Sequence, residues 1–348
     1  MKKSVIIGLS GGVDSSVAAY LLQQQGFSVT GLTLKVLDDD LAIQNAKKIA
    51  DFLNIRHITL DIRADFNKIV VQDFIDKYNT GQTPSPCILC NKTIKWHFLY
   101  NYAKENNIDF IASGHYVKIV KNEGVFYIGK GADEIKDQSY FLWDLPQKYL
   151  KKMITPLGNF TKEEIKIMAQ KNGLNKLINK KESMGVCFLK GRNYRDFLQE
   201  KGVEINKKGD VLNETGEIIG EHYGIVNYTT GQKNGMNIFT QGSFYVKKLD
   251  HNTNTLTVTD KKSLNVRKII LKDYYFANIK DIEKYNGKIN VKIRGYGLNP
   301  QETCKLKLLD NNKILVELND DAWAPAIAQP VVFYYKNIVL GGGITYDF

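Results

Sequence analysis

The chain has 348 residues, enough for two or three domains with separate cores, and its 43% hydrophobic and 24% charged residues are those of an ordinary globular protein. No run approaches the roughly 18 apolar residues of a membrane span. Lys and Arg number 48 against 37 Asp and Glu, and this net charge of +11 suits a polyanionic partner such as nucleic acid. Four cysteines, Cys87, Cys90, Cys187 and Cys304, are too few for a disulfide scaffold. Met1-Lys2-Lys3 passes straight into a strand instead of a signal peptide, so a reducing, cytoplasmic setting is expected, where thiols are reactive, metal-binding or buried.

The first stretch carries the strongest signal. Val5-Ile6-Ile7-Gly8-Leu9-Ser10-Gly11-Gly12-Val13-Asp14-Ser15-Ser16 reads as a buried strand running into a Gly/Ser turn and then into the first turn of a helix. Such a turn gathers free backbone N–H groups at the positive end of a helix dipole and favours phosphate. Gly11 and Gly12 remove Cβ atoms, and Ser10, Ser15 and Ser16 add hydroxyls. The lysine of G-x-x-x-x-G-K-[ST] is missing, and so is the dinucleotide pattern G-x-G-x-x-G. Ser-Gly-Gly-x-Asp-Ser resembles the loop of pyrophosphate-loop ATPases, which hold the β- and γ-phosphates during attack on the α-phosphate. Asp14 would repel phosphate unless a Mg²⁺ lay between, so it is assigned to that metal.

Helical spacing of Val17, Ala18, Leu21 and Leu22 follows, closed by Gly26. Phe27–Leu34 reads as a strand, Leu41–Leu53 as a helix, Ile55–Leu60 as a strand, Phe66–Tyr78 as a helix, Ile94–Glu105 as another and Phe110–Ser113 as a strand. The alternation predicts a doubly wound, mostly parallel sheet with its ligand site at the carboxyl ends of the strands. Pro84 and Pro86 are expected to keep the segment Gly81 to Lys92 extended and outside any helix. Cys87-x-x-Cys90 admits half a zinc site, spectator thiols or reactive chemistry, and no second such pair appears at zinc-finger spacing.

His115, in Ser113-Gly114-His115-Tyr116, falls at a strand's carboxyl end, where either a structural or a ligand role is open. A hairpin turns at Asn122-Glu123-Gly124, Lys136-Asp137-Gln138 precedes an aromatic run, and Thr161-Lys162-Glu163-Glu164 is a capping box. Cys187, in Glu182-Ser183-Met184-Gly185-Val186-Cys187-Phe188, reads alone as core more readily than as catalyst. Asn193 to Lys201 is the last helix. From Val203 the grammar changes to short β-runs with Gly, Asn and Asp turns, and Ile289–Arg294, Thr303–Leu308, Ile314–Leu318 and Val331–Tyr335 alternate as strands of an antiparallel sandwich or barrel.

Taken together and in order, these motifs resemble those of tRNA-specific 2-thiouridylases from Ser4 to the Gln329 region. The resemblance implies a pyrophosphate-loop domain over 1–190, a central β-rich domain over 191–265 and a C-terminal antiparallel β-barrel over 266–348. It implies ATP-dependent adenylation of O2 of the wobble uridine in tRNA and replacement of that oxygen by sulfur. Residue by residue it implies that Gly8, Leu9, Ser10, Gly11, Gly12, Val13, Asp14, Ser15, Leu34 and Gly114 line ATP. Ser85, Pro86 and Cys87 face the base, and His115, Lys136, Asp137, Gln138, Arg294, Gly295 and Gln329 touch tRNA. By the same resemblance Cys187 carries a persulfide, and Cys90 releases its sulfur by forming a disulfide with Cys187. A persulfide donor protein, an outside reductant and a monomer complete the expectation. The sequence departs from some members, which carry Asp at the position of Cys87, and Arg294-Gly295-Tyr296 and Ala328-Gln329 match the barrel motifs loosely. Two rival readings are a non-thiolating pyrophosphate-loop ligase and a tRNA-binding protein with an iron–sulfur cluster on Cys87, Cys90 and Cys187.

Overall fold

The computed structural model describes residues 2–177, 185–294 and 299–348. The chain divides into two compact units, one of Met1–Val70, Cys87–Met184 and Asn337–Leu340, the other of Val71–Pro86, Gly185–Lys336 and Gly341–Phe348.

The first unit is built on strands β1 (Ser4–Gly8), β2 (Ser28–Lys35), β3 (Arg56–Asp61) and β4 (Phe110–Ala112), with helix α1 (Val13–Gln24) after β1 and α2 (Leu41–Phe52) after β2. Val5, Ile6 and Ile7 are fully buried, as befits a central parallel strand covered on both faces. A hairpin of β5 (Val117–Asn122) and β6 (Val125–Lys130) follows, then the short β7 (Met153–Ile154). The sheet runs β3-β2-β1-β4-β7, every pairing parallel. Its order reverses between β1 and β4, so the crevice for a ligand opens at their carboxyl ends. The predicted strands Phe27–Leu34 and Ile55–Leu60 and the helix Leu41–Leu53 lie within one residue of those observed. Glu123 and Gly124 both have positive φ, the geometry of a two-residue hairpin turn.

Two expectations change. The predicted helix Phe66–Tyr78 lies within a continuous helical run that begins earlier, at Arg63–Phe66, and passes through a π-turn at Asn67–Val71 into Gln72–Asn79. The prolines do not hold the cysteine segment out of a helix. Pro86 opens a helical turn, Pro86–Cys90, which runs through a π-turn at Asn91–Lys95 into Trp96–Glu105. A proline at the first helical position lacks only an N–H that the helix does not use there, and its φ is already helical.

In the second unit β8 (Lys208–Leu212), β9 (Ile218–Tyr223), β10 (Asn237–Ile238), β11 (Tyr245–Asp250) and β12 (Thr255–Thr259) form a sheet ordered β10-β9-β8-β12-β11. Strands β13 (Asn265–Phe276), β14 (Ile289–Lys292), β15 (Thr303–Leu309), β16 (Lys313–Trp323), β17 (Pro330–Tyr335) and β18 (Ile338–Asp347) succeed it. Their order is β13-β16-β15-β14-β17-β18, and β13 also pairs with β18 through Leu271 and Thr345. The predicted sandwich or barrel is therefore a closed six-stranded barrel. Alternate residues Leu306, Ile314, Val316 and Leu318 fill its core. Ile338, at the start of β18, pairs instead with Gly129 of β6 in the first unit.

Candidate active site

The turn after β1 is held from beneath. Leu9 N–H donates to the Leu32 carbonyl at 2.8 Å, and the Leu9 carbonyl accepts from the Thr33 hydroxyl at 2.7 Å. Leu9 is itself core, 1% exposed, so its side chain packs and only its backbone is offered to a ligand. Ser15 Oγ accepts from Ser10 N–H at 3.2 Å and donates to the Gly12 carbonyl at 3.1 Å, while Ser16 donates to the same carbonyl at 2.8 Å. Gly12 caps α1 in extended backbone and, having no side chain, accepts nothing from the first N–H groups of the helix. The first N–H groups of α1 are thus presented at the ligand face.

The glycines divide their work. Gly11 has φ +69°, and a Cβ there would lie 2.7 Å from Asn45 Cβ and 2.8 Å from the Ala42 carbonyl oxygen, so this glycine admits α2. A Cβ on Gly12 would have Ser10 Oγ at 3.5 Å as its nearest neighbour, so this position serves the open side. A Cβ on Gly114 would sit 2.9 Å from the Asp14 carbonyl carbon and the Ser15 nitrogen, so Gly114 brings the end of β4 against the first turn of α1. Leu34 is half-buried at the end of β2, the strand beside β1.

Asp14 was read from the sequence as a Mg²⁺ ligand. Its Oδ1 accepts from Lys162 Nζ and from the Tyr116 hydroxyl, both at 2.7 Å. Neither partner was singled out by the sequence. The lysine offsets the charge for which Mg²⁺ was invoked, and the Asp14 carboxylate is the group here whose chemistry would suit that ion. Among the described residues no three His, Cys, Asp or Glu side chains gather where a metal could be held, so the iron–sulfur reading gains no support.

Around Tyr116 the expected tRNA residues are engaged in the fold. Gln138 Oε1 accepts from Tyr116 N–H at 3.0 Å, and Asp137 accepts from Gly131 N–H at 3.0 Å and Ser139 Oγ at 2.6 Å. Lys136 is half-buried, and its N–H bonds to Asp133. His115 is buried, with Nδ1 2.7 Å from Ser113 Oγ. Burial, aided by Lys95, lowers its pKa to about 3, so the imidazole is neutral at pH 7.

The cysteine helix carries a π-turn directly after Cys90, a distortion found often at functional sites. Cys87 and Cys90 share a helix face at i,i+3 spacing. Cys87 is exposed and Cys90 buried. Lys92 Nζ lies 3.2 Å from Asp144, whose carboxyl pKa is pushed up by burial against the pull of Lys92. Asn91 Nδ2 donates to the Phe141 carbonyl at 3.1 Å.

In the second unit Cys187 is exposed on a single 3₁₀ turn, Cys187–Leu189. Its neighbour Phe188 is buried, edge-on to Phe74 and tilted against Phe197, so the apolar flank anchors the turn and leaves the thiol outside. Gln329 Nε2 donates to the carbonyls of Thr83 at 2.8 Å and Pro84 at 3.2 Å. The Thr83 hydroxyl lies 2.8 Å from that of Thr229. Arg294 donates to the carbonyls of Ala324 and Thr230. Gly295 and the stretch Glu182 to Met184 lie outside the described residues.

Residues 3–191 match the family described as tRNA methyl transferase HUP domain, 195–260 the tRNA methyl transferase PRC-barrel domain, and 266–345 the aminomethyltransferase beta-barrel domain. Similar curated proteins include tRNA-specific 2-thiouridylase MnmA 1 of Clostridium tetani, 36% identical over 99% of this chain and 97% of that protein. MnmA 1 of Caldanaerobacter subterraneus is 38% identical over 98% and 97%, and MnmA of Rickettsia prowazekii 36% over 98% and 98%. With that identity along almost the whole of every chain, and the parallel-sheet unit, β-rich segment and closed barrel in the matched order, the chain belongs to the tRNA-specific 2-thiouridylase family.

Proposed function

We propose that the chain is an ATP-dependent tRNA sulfurtransferase that makes 2-thiouridine at the wobble position, releasing AMP and pyrophosphate. The observation that carries this reading is full-length family membership joined to an uncapped helix start at the switch point between β1 and β4. A uracil oxygen is a poor leaving group. Its attack on the α-phosphate forms the O2–phosphorus bond, breaks the α–β phosphoanhydride and expels pyrophosphate into the Ser10–Ser15 turn. Gly8 to Ser15, Leu34 and Gly114 line the nucleotide in this reading. Asp14 is the residue suited to hold a Mg²⁺, which would neutralise phosphate charge when bound.

Sulfur then comes from a persulfide on Cys187. In the proposed step the Cys90 thiolate attacks the Cys187 sulfur and forms a disulfide. The terminal sulfur, freed as hydrosulfide, adds to C2 and expels AMP. A thiol reductant supplies two electrons to reset the pair. The exposure of Cys87 and burial of Cys90 favour a second reading in which Cys87 is the attacking thiol of the pair. Ser85 and Pro86 face the extruded base, with His115, Lys136, Asp137, Gln138, Arg294, Gly295 and Gln329 at the tRNA, directly or through the loops they hold. The three domains 1–190, 191–265 and 266–348 are supported by family matches over 3–191, 195–260 and 266–345. A persulfide donor protein, a cytoplasmic setting and a monomeric state belong to the same proposal; among the described residues no helix is long and apolar enough to cross a membrane.

The test is mass spectrometry of tRNA nucleosides from a deletion strain, which should lack 2-thiouridine, with tRNA-dependent nucleotide turnover measured in vitro. Ser10→Ala or Asp14→Asn should abolish release of AMP and pyrophosphate from a folded protein. Release of ADP and phosphate by the wild type would end the α-phosphate assignment.

A further inference from the structure

A triphosphate seated at the turn after β1 needs a cation, and the segment Gly8 to Ser16 contains neither Lys nor Arg. One lysine reaches it from far along the chain. Lys162 Nζ lies 2.7 Å from Asp14 Oδ1, in the first turn of α1, and its side chain is 9% exposed. Lysine is among the residues least often buried, since taking an ammonium from water is costly unless it is paired.

Its position also runs against local preference. Lys162 is the first residue of the helix Lys162–Lys171, whose cap is Thr161 bonded to Glu164. The dipole at that end favours anions, as Glu163 and Glu164 illustrate, and opposes a cation. A buried cation where both desolvation and dipole disfavour it marks a functional placement. The surroundings fix it there. Lys162 N–H donates to Asp133 at 2.8 Å, and Tyr116, whose hydroxyl shares Asp14 Oδ1, has its ring centroid 6.0 Å from Nζ.

We propose that Lys162 is the catalytic cation of the pyrophosphate site: its ammonium meets the departing phosphate oxygens, and Asp14 with Tyr116 holds it at the turn. This supplies from the 162 position the charge that other phosphate loops carry in their own lysine. It rests on the reading of the turn as a nucleotide site.

The experiment is calorimetric titration of the full-length chain with ATP and, separately, with inorganic pyrophosphate. Lys162→Met should weaken pyrophosphate binding by about tenfold to a hundredfold, the worth of a charge-assisted contact. Lys162→Arg should stay close to the wild type. Lys162→Gln repeats the test with a neutral side chain that can still bond to Asp14, should the methionine variant fold poorly by circular dichroism. The double variant Asp14→Asn/Lys162→Met decides between contact and mere neutralisation of Asp14. Weaker binding by the double variant than by Asp14→Asn alone supports direct contact, whereas equal binding by the two overturns the proposal. Unchanged binding by Lys162→Met and Lys162→Gln also overturns it and leaves the nucleotide site standing. Wild-type protein that binds neither ATP nor pyrophosphate removes the nucleotide reading itself.

Discussion

Gln329 Nε2 donates to the Thr83 carbonyl at 2.8 Å, a bond spanning 246 positions of sequence and ending two residues before Ser85. The side chain expected at the tRNA is thus spent on the backbone of the segment expected to face the base. Gln329→Leu should therefore speed hydrogen exchange around residues 83–86 and lower thiolation more than tRNA affinity. The lost bonds are worth about 0.5–1.5 kcal/mol each. Unchanged exchange together with a large loss of tRNA binding would return Gln329 to direct contact.

Gly11 and Gly12 should respond to alanine in opposite ways. Gly11→Ala meets α2 at 2.7–2.9 Å and holds φ at +69°, so it should destabilise the fold by about 2–5 kcal/mol in urea unfolding. Gly12→Ala has extended backbone and 3.5 Å of clearance, and should unfold within about 0.5 kcal/mol of the wild type. Its effect should appear as weaker nucleotide binding. Equal destabilisation by both would show that the turn is a packing device on each side.

His115 gives a pH signature with a definite sign. Its folded pKa, near 3, lies below the ordinary 6.5, so between those values the unfolded chain binds the extra proton. Its contribution is fully present above pH 6.5 and is lost as pH falls, with a slope up to about 1.4 kcal/mol per pH unit. Burial depresses His57 and His222 in the same direction. His115→Gln should flatten part of the acid limb of stability against pH, and an unaltered limb would contradict the buried neutral state.

The cysteines separate by variant. Cys187→Ser should remove the protein-bound persulfide and abolish thiolation, and Cys90→Ser should abolish thiolation with the persulfide intact. Cys87→Ser should retain partial activity, since a hydroxyl still hydrogen-bonds to a base or water. A dead Cys87→Ser beside an active Cys90→Ser would assign the attack to Cys87, as its exposure favours.

The alternating strands and helices were legible because Val5 to Ile7 and the periodic helices answer to local hydrophobic pattern, and the tight turn after β1 because its glycines and serines are contiguous. Lys162 was hidden inside an ordinary capping box, since nothing local tells a solvent-facing lysine from one that reaches a carboxylate 148 positions away. Pro86 was misjudged because a proline that ends one helix and a proline that begins another look alike without the following turn. Asp137, Gln138, Arg294 and Gln329 carry hydrogen bonds within the fold that composition does not announce. Polar side chains that tie loops to one another have the same composition as those that meet RNA.

The path of the chain between the two compact units bears on how the protein is made. Residues 71–86 belong to the unit formed mostly by the C-terminal half, where Tyr78 stacks on Tyr194 and Phe74 meets Phe197. In return, Asn337 accepts from Lys130 N–H to finish the edge of the N-terminal unit. A ribosome delivering the chain in order releases Phe74 and Tyr78 long before their aromatic partners, and exposes the β6 edge until the final strand emerges. Cutting the gene at 190 would leave both defects permanent, so the nucleotide-binding half should aggregate when expressed alone.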